Sequence, residues 1–231
     1  SDAISGIDRY ECRIGAMASF ASLAFQSCAT TFNSAPLASG PQKFEVRSVD
    51  RAGNFSSIAS HSWTIDLGAP TVTITKAPGA YSNVTRPSFE FSGTDDGGPI
   101  ASYQCKIDSG AYANCSSPFM VNSALSDGPH TFSVIGHDTV GNVSAPAMYS
   151  WIVDTVAPTV TITSKPNAVT NSKSATFTMS VNDLNGYDII ECQINGGGYQ
   201  NCGSTETFMN LADRNHKFDV RAKDKAGNLS N

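Results

Sequence analysis

The sequence predicts an all-β protein, and its patterning, its turn residues and its composition each favour that class. Apolar and polar residues alternate along short runs such as Phe218–Lys223, which is typical of strands with one buried face. Glycine, proline, asparagine and aspartate separate these runs, and no stretch shows a convincing helical period. Charged residues make up only 15% of the chain, against roughly 25% in typical soluble proteins.

Three short motifs recur along the chain at a common spacing. Asn142 follows Asn54 by 88 residues, and Asn228 follows Asn142 by 86. A fixed spacing of this size predicts three copies of one structural unit. We place these units at residues 1–68, 69–156 and 157–231. The recurring motifs are Asp50–Asn54 with Asp138–Asn142 and Asp224–Asn228, Trp63–Asp66 with Trp151–Asp154, and Ala69–Thr75 with Ala157–Thr163.

The middle unit is complete and shows its strands in order. About seven short strands in a unit of this length predict a two-sheet sandwich of the immunoglobulin type. Strands D and E are poorly marked and fall within Phe119–Leu125. The other predicted strands are A (Thr71–Thr75), B (Ser88–Gly93), C (Ser102–Asp108), C′ (Tyr112–Ser116), F (Thr131–His137) and G (Met148–Asp154).

The two outer units lack strands in this alignment. Unit one aligns Ser1 and Asp2 with Thr94 and Asp95, so it lacks strands A and B, and unit three lacks strand G. One interpretation is that the sequence is a piece of a longer array. The other is that a neighbouring chain donates the missing strands.

The six cysteines form three pairs of near neighbours, two of them ten residues apart and the third 16 apart. A hairpin with a three-residue loop would place two cysteines ten residues apart opposite each other, within disulfide reach. A zinc site is the alternative, but no pair has the C-x₂-C spacing that structural zinc favours. We therefore predict one disulfide in each unit and an oxidising compartment. The pairs are Cys12–Cys28, Cys105–Cys115 and Cys192–Cys202.

Four segments of the middle unit, Ser102–Pro118, Asp127–Phe132, Asp138–Asn142 and Trp151–Asp154, give the chain its resemblance to a known family. The chain resembles the bacterial Ig-like repeats of large secreted surface proteins and adhesins, over essentially its whole length. Unit one departs from the pattern, with six extra residues in its cysteine hairpin. The resemblance implies extracellular display at a cell surface and does not indicate a ligand.

Composition and motifs argue against several functions. A net charge of −5 offers no basic surface for nucleic acid. No apolar run approaches the roughly 20 residues that span a bilayer. Signatures of nucleophile elbows, phosphate loops and HExxH zinc sites are missing. His130 and His216 occupy equivalent positions where unit one has Gln42, which favours a turn role over acid–base chemistry. We expect no catalysis.

The extra residues of unit one, 15–27, are unusually apolar for a hairpin loop. They pack on unit one or on a neighbouring chain, or they form an exposed contact patch. The candidate partner-contact residues are Met17, Phe20, Leu23 and Phe25.

Three acidic positions recur where successive units would meet. One ends strand G of the preceding unit, one lies in the B–C loop, and one opens the F–G turn. Close carboxylates repel each other unless a cation neutralises them, and calcium prefers such oxygen ligands. The alternative is that each aspartate accepts hydrogen bonds from its own turn. The predicted calcium ligands are Asp66, Asp95 and Asp138 at one junction, and Asp154, Asp183 and Asp224 at the next.

These observations predict a non-catalytic spacer that forms a rod or fibre, because each repeat contacts only its neighbours. Its partners would be neighbouring units or chains of the same protein. The alternative is an adhesive module that contacts a surface glycan or a protein, which predicts exposed aromatic residues in one unit only.

Overall fold

The computed structural model describes residues 6–230, whose regular secondary structure is almost entirely β-strand. The all-β fold class and the predicted disulfides are confirmed. The sequence did not predict a short 3₁₀ helix, η1 (Met17–Ser22), in the hairpin of unit one. The strands are β1 (Ile7–Ala16), β2 (Gln26–Cys28), β3 (Gly40–Asp50), β4 (Ala59–Ile65), β5 (Thr71–Lys76), β6 (Tyr81–Ser82), β7 (Ser88–Thr94), β8 (Ile100–Ile107), β9 (Ala113–Cys115), β10 (Phe119–Met120), β11 (Gly128–Asp138), β12 (Ala147–Val153), β13 (Thr159–Ser164), β14 (Ala175–Asn182), β15 (Tyr187–Ile194), β16 (Gln200–Cys202), β17 (Thr205–Phe208) and β18 (Phe218–Asp224).

The chain forms two compact units. The first comprises the residues up to 72 together with 93–103 and 135–145, and the second comprises 73–92, 104–134 and the residues from 146 onward. The division into three repeats follows the sequence and stays a prediction. Asp2, which the alignment matches to Asp95, lies outside the described residues.

The first compact unit contains an antiparallel four-stranded sheet with the order β2-β1-β3-β4. β3 lies between β1 and β4, and Phe44 stands opposite Ile14 on one side and His61 on the other. Because side chains alternate across a strand, the face of Phe44 is apolar and the opposite face, with Glu45 opposite Arg13, is charged.

The second compact unit holds the aromatic core of the middle strands. β5, β7 and β10 belong to one sheet, and β6, β12, β11, β8 and β9 to another. Phe89 stacks on Phe132 with ring centroids 4.1 Å apart and also contacts Trp151 at 5.1 Å. These three side chains are 0%, 0% and 2% exposed, so the sandwich is closed at this point.

The strands that follow repeat this arrangement. The sheets β13-β14-β17 and β16-β15-β18 carry Phe177 and Phe218, whose rings stack at 4.0 Å. β14 is antiparallel to both β13 and β17, and β15 to both β16 and β18.

All six cysteines are paired, as Cys12–Cys28, Cys105–Cys115 and Cys192–Cys202, with Cα–Cα distances of 5.8, 5.8 and 6.0 Å. The predicted direct opposition does not hold in the first and third hairpins. Cys12 stands opposite Gln26, and Cys192 stands opposite Gln200, so these bonds join diagonal positions. The register of these two hairpins is therefore shifted by two residues relative to a direct Cys–Cys pairing.

Candidate metal centres and the hairpin faces

Each predicted metal ligand lies directly at the end of a strand. Asp66 and Asp154 follow β4 and β12, where Asp66 Oδ1 accepts a hydrogen bond from the Gly68 N–H at 2.9 Å. Asp154 Oδ1 accepts the equivalent bond from the Val156 N–H at 3.1 Å. Each carboxylate thus closes a turn with the backbone two residues later.

The aspartates of the B–C loops behave in the same way. Asp95 follows β7 and accepts a hydrogen bond from the Gly97 N–H at 3.2 Å, and Asp183 follows β14 and accepts one from the Asn185 N–H at 2.9 Å. The turn interpretation therefore accounts for these aspartates and for the strand-end pair.

The F–G aspartates make the fullest turns. Asp138 Oδ1 accepts from the N–H groups of Val140, Gly141 and Asn142, and its Oδ2 accepts from the Asn142 side chain at 2.7 Å. Burial opposes the charge of Asp138, but these hydrogen bonds outweigh it and hold the pKa of Asp138 below its usual value. The carboxylate of Asp138 is therefore engaged within its own turn.

The second acidic cluster is the one that the sequence predicts. Carboxylate oxygens of Asp154, Asp183 and Asp224 lie within 4.8 Å of one another. Asp154 is 3% exposed and Asp224 is 1% exposed. Among residues 6–230, no lysine or arginine forms an ion pair with any of the three, although Asn185 Nδ2 donates to Asp154 Oδ2 at 2.8 Å.

The first cluster differs from the prediction at one position. Asp66 and Asp95 come together, but the third carboxylate within 4.8 Å belongs to Asp96, not to Asp138. The sequence prediction followed the repeat, and the third unit has Leu184 where the second has Asp96.

The first cluster also has an unsatisfied atom and close glycine packing. Asp95 Oδ1 is buried and accepts no hydrogen bond from the described residues. Gly97 lies against the Asp66 carboxylate, and a Cβ on Gly68 would stand 2.6 Å from Asp96 Oδ1. Side chains larger than glycine at these two positions would displace the carboxylates.

Both clusters fit a hard cation by the chemistry of their donors. Each offers three carboxylates and no nitrogen or sulfur ligand, and calcium takes six to eight such oxygens, with carbonyls and water completing the shell. Three charges this close, two of them buried in the second cluster, repel strongly unless a cation lies among them.

A pair of asparagines, which sequence reasoning treated only as turn formers, ties these elements together. Asn142 Nδ2 donates to the Asp66 carbonyl at 3.3 Å, and Asn228 Nδ2 donates to the Asp154 carbonyl at 2.8 Å. Each asparagine thereby joins an F–G turn to the strand-end aspartate without a metal. The recurring Gly-Asn at the end of the Asp50–Asn54 motif is the signal that could have revealed this role.

The inserted hairpin of unit one packs mainly on its own sheet. Phe20 is 5% exposed, with the Arg13 guanidinium 4.9 Å from its ring, and Leu23 touches Gly15. Phe25 is half-buried, while Met17 is 51% exposed. Of the four candidate contact residues, only Met17 is strongly exposed.

Phe25 belongs to a pattern that the sequence analysis missed. An aromatic residue lies three positions before the second cysteine of each pair, and a cation covers its ring. Arg47 lies 4.2 Å from the ring of Phe25 and 3.9 Å from that of Phe55, which is 56% exposed. The counterparts are Tyr112 with Lys106 at 4.8 Å and Tyr199 with Arg221 at 3.9 Å. These contacts stabilise the hairpins.

The equivalent histidines have the turn role that the sequence predicts. His130 Nε2 and His216 Nε2 each lie 2.9 Å from the carbonyl four residues earlier, and Gln42 Nε2 donates to the matching Ala38 carbonyl at 2.8 Å. His130 Nδ1 also contacts the Asp108 carboxylate at 2.7 Å. These side chains fasten the loop that precedes the F strand.

Comparison with known proteins gives distant similarities. No family model matches the chain. Exoglucanase B of Cellulomonas fimi is 25% identical over 213 residues, which are 84% of this chain but 19% of that protein. The chain therefore spans less than a fifth of the length of this relative.

Three solved structures are similar to the chain at low sequence identity. The fibronectin(III)-like modules of Clostridium thermocellum CbhA have 18% identity and a TM-score of 0.34, covering 66% of this chain and 81% of that one. The FN1–FN3 domains of chicken CNTN1 have 13% identity and a TM-score of 0.39, covering 96% and 88%. The D00–D0 domain of intimin has 14% identity and a TM-score of 0.25, covering 66% and 88%.

The chain is an all-β protein of several sheets with three intrachain disulfides. Among residues 6–230, no helix is long and apolar enough to cross a lipid bilayer. The three disulfides indicate an oxidising compartment outside the cytosol.

Proposed function

We propose that this chain is a non-catalytic structural segment of an extracellular surface protein, where it holds other parts of that protein apart. One observation carries the proposal. Side chains suited to chemistry, such as Asp138, His130 and His216, are hydrogen-bonded to the backbone of their own turns. A catalytic acid or base needs a free position facing a substrate.

The similarity to part of a much longer enzyme agrees with this role. The matched region is 19% of exoglucanase B, which is the size expected of an accessory region beside other domains. Repeated modules set length by their number, because each contacts only its neighbours. A spacer of this kind would serve a secreted enzyme and a surface protein equally well.

Calcium would stiffen the segment at the two acidic clusters. The Asp154, Asp183 and Asp224 cluster supports this most strongly, because two of its three carboxylates are almost fully buried and none is paired with a lysine or arginine in the described chain. The Asp66, Asp95 and Asp96 cluster adds a buried oxygen, Asp95 Oδ1, with no hydrogen-bond partner among residues 6–230.

Calorimetric titration of the metal-stripped full chain tests the calcium proposal. We expect two binding sites, one abolished by Asp95→Asn and the other by Asp183→Asn, each removing one ligand charge. Asp50→Asn is the matched control, since Asp50 opens the same kind of turn but lies outside both clusters. Absence of heat and of thermal stabilisation at millimolar calcium would exclude both sites.

The spacer role has a separate test. With spin labels near the two ends of the chain, we expect one narrow distance distribution, and no hydrolysis or retention of polysaccharides. Retention of a glycan or a protein that is lost on Phe55→Ala would favour the adhesive alternative, because Phe55 is an exposed aromatic residue of the first compact unit.

A further inference from the structure

One apolar sheet face of the first compact unit is only half covered. It is the face of β1, β3 and β4 that carries Ile14, Phe44, Val46 and Trp63, and we call it the open face. Phe44, Val46 and Trp63 are each partly accessible to solvent. The ring of Phe32, itself 40% exposed, lies 5.5 Å from that of Phe44.

A closed counterpart of this face exists elsewhere in the chain. β11 and β12 pair in the same register as β3 and β4, with Phe132 opposite Tyr149 where Phe44 is opposite His61. At the counterpart, Val134 is 0% exposed and Trp151 is 2% exposed. The two faces therefore share the same strand register, but the counterpart is shielded from solvent and the open face is partly exposed.

Two strands provide the missing cover at the counterpart. Phe89 of β7 stacks face to face on Phe132 at 4.1 Å. β6 extends the sheet by running parallel to β12, with the Ile152 N–H donating to the Ala80 carbonyl at 2.9 Å and the Asp154 N–H to the Ser82 carbonyl at 3.0 Å. Side-chain cover and edge pairing therefore come from one continuous stretch, residues 80–89.

In the described chain, the open face has neither a strand that stacks a phenylalanine on it, as β7 does, nor an edge strand like β6. Among the strands that the structure describes, β4 pairs with β3 alone and lies at the edge of its sheet. The positions that match Ile152 and Asp154 are Thr64 and Asp66. An unpaired edge next to an apolar face is the arrangement that accepts an added strand.

We infer that the open face binds an extended segment that runs parallel along the β4 edge and stacks a phenylalanine on Phe44. The segment has the chemistry of residues 80–91, with a short edge strand followed by Phe-x-Phe, and it comes from a module of this protein's own kind. Two open faces packed together would cover Phe44 but leave both β4 edges unpaired. The strand is therefore the better occupant.

The test uses the full chain and a fluorescein-labelled peptide with the sequence of residues 78–92. We expect saturable binding by fluorescence anisotropy, with thermal stabilisation of the chain. Binding should weaken at least tenfold with Phe44→Ser and with a peptide whose two phenylalanines are replaced by serine. Met17→Ser, in η1 and 51% exposed, is the matched control and should bind normally.

The inference would be overturned by no binding at millimolar peptide, by binding that Phe44→Ser leaves unchanged, or by a chain that instead dimerises in sedimentation through Phe44. If the Phe44→Ser variant does not fold, comparing the original and the serine-substituted peptide on the wild-type chain still tests the inference. Peptide that fails to stabilise the wild-type chain while still binding would also count against the proposed site.

Discussion

At the scale of single residues, three equivalent positions of the chain make the same hydrogen bond to the backbone with different side chains. Gln42, His130 and His216 each hydrogen-bond the carbonyl four residues earlier. Only His130 adds a carboxylate, with Asp108 Oδ2 2.7 Å from its Nδ1, while the matching partner of His216 is the neutral side chain of Asn195. The three positions therefore share a structural role but differ in electrostatics.

This difference predicts a pH effect on stability at His130. Burial of the ring opposes its charge, but the Ser126 carbonyl and the Asp108 carboxylate outweigh it and raise the pKa of His130 above its usual value. The group therefore contributes stability that is full below the usual histidine pKa, roughly 6.5, and is lost as the pH rises through the raised value.

Urea unfolding of wild type and His130→Gln between pH 5 and pH 9 checks this expectation. The wild type should be the more stable at the acidic end, and the difference should shrink toward pH 9. His216→Gln is the matched control, because the side chain that meets His216 Nδ1 is the neutral Asn195, so the contrast between the two variants isolates the Asp108 contact. A constant difference across the range would show that the Asp108 contact does not stabilise the charged ring.

At the scale of elements, the sequence predicted the strands well because period-two alternation marks them directly. The predicted strands A, B, C, C′, F and G all appear as β5, β7, β8, β9, β11 and β12. The D–E region, with little alternation, yields only the two-residue strand β10. The helix η1 escaped prediction because it is a single short segment without a helical period.

Sequence reasoning was less complete for the candidate site, because spacing places a residue on an element but does not show which atoms its side chain meets. Sequence reasoning placed Asp154, Asp183 and Asp224 together, because each of them has an equivalent aspartate at the repeat spacing. It placed Asp138 at the other cluster for the same reason, whereas the structure brings Asp96 together with Asp66 and Asp95. The hydrogen bonds from the asparagines to the neighbouring strand ends could not be predicted either, because spacing does not show which atoms a side chain meets.

Those asparagine links predict a stability effect between elements. Asn228 Nδ2 donates to the Asp224 carboxylate and to the Asp154 carbonyl, whereas Asn54 Nδ2 donates to the Asp50 carboxylate alone within its turn. Asn228→Ala removes both bonds and leaves buried acceptors, so it should cost roughly 2–3 kcal/mol. The exposed Asn54→Ala should cost about 1 kcal/mol or less.

Chemical denaturation of the two variants in the presence of chelator measures the difference without a contribution from calcium. Equal losses for both variants would mean that the Asp154 carbonyl contact adds nothing. A larger loss for Asn228→Ala would show that the F–G turn holds the strand end by itself, and that calcium, if bound, adds to an existing link.

At the scale of the whole molecule, we expect stability to depend on several short loops closed by disulfides rather than on one large core. Among residues 6–230, Phe89 and Phe132 are the largest fully buried side chains. Each disulfide closes a loop of 10 or 16 residues inside one hairpin. Chain entropy predicts that such a bond stabilises the folded protein by about 3 kcal/mol.

Removing the bonds one at a time should therefore lower the melting temperature in separate steps. Paired Cys→Ser replacement at Cys105 and Cys115, or at Cys192 and Cys202, should each lower it by about 6–12 °C, given about 2–4 °C per kcal/mol for a chain of this size. The two hairpins share no residues, so the effects of combining both pairs should add. Differential scanning calorimetry without reductant measures the steps, and wild-type protein in reductant supplies the fully reduced limit. A double-pair variant that melts no lower than a single-pair variant would contradict this account, because the hairpins would then not be independent closures.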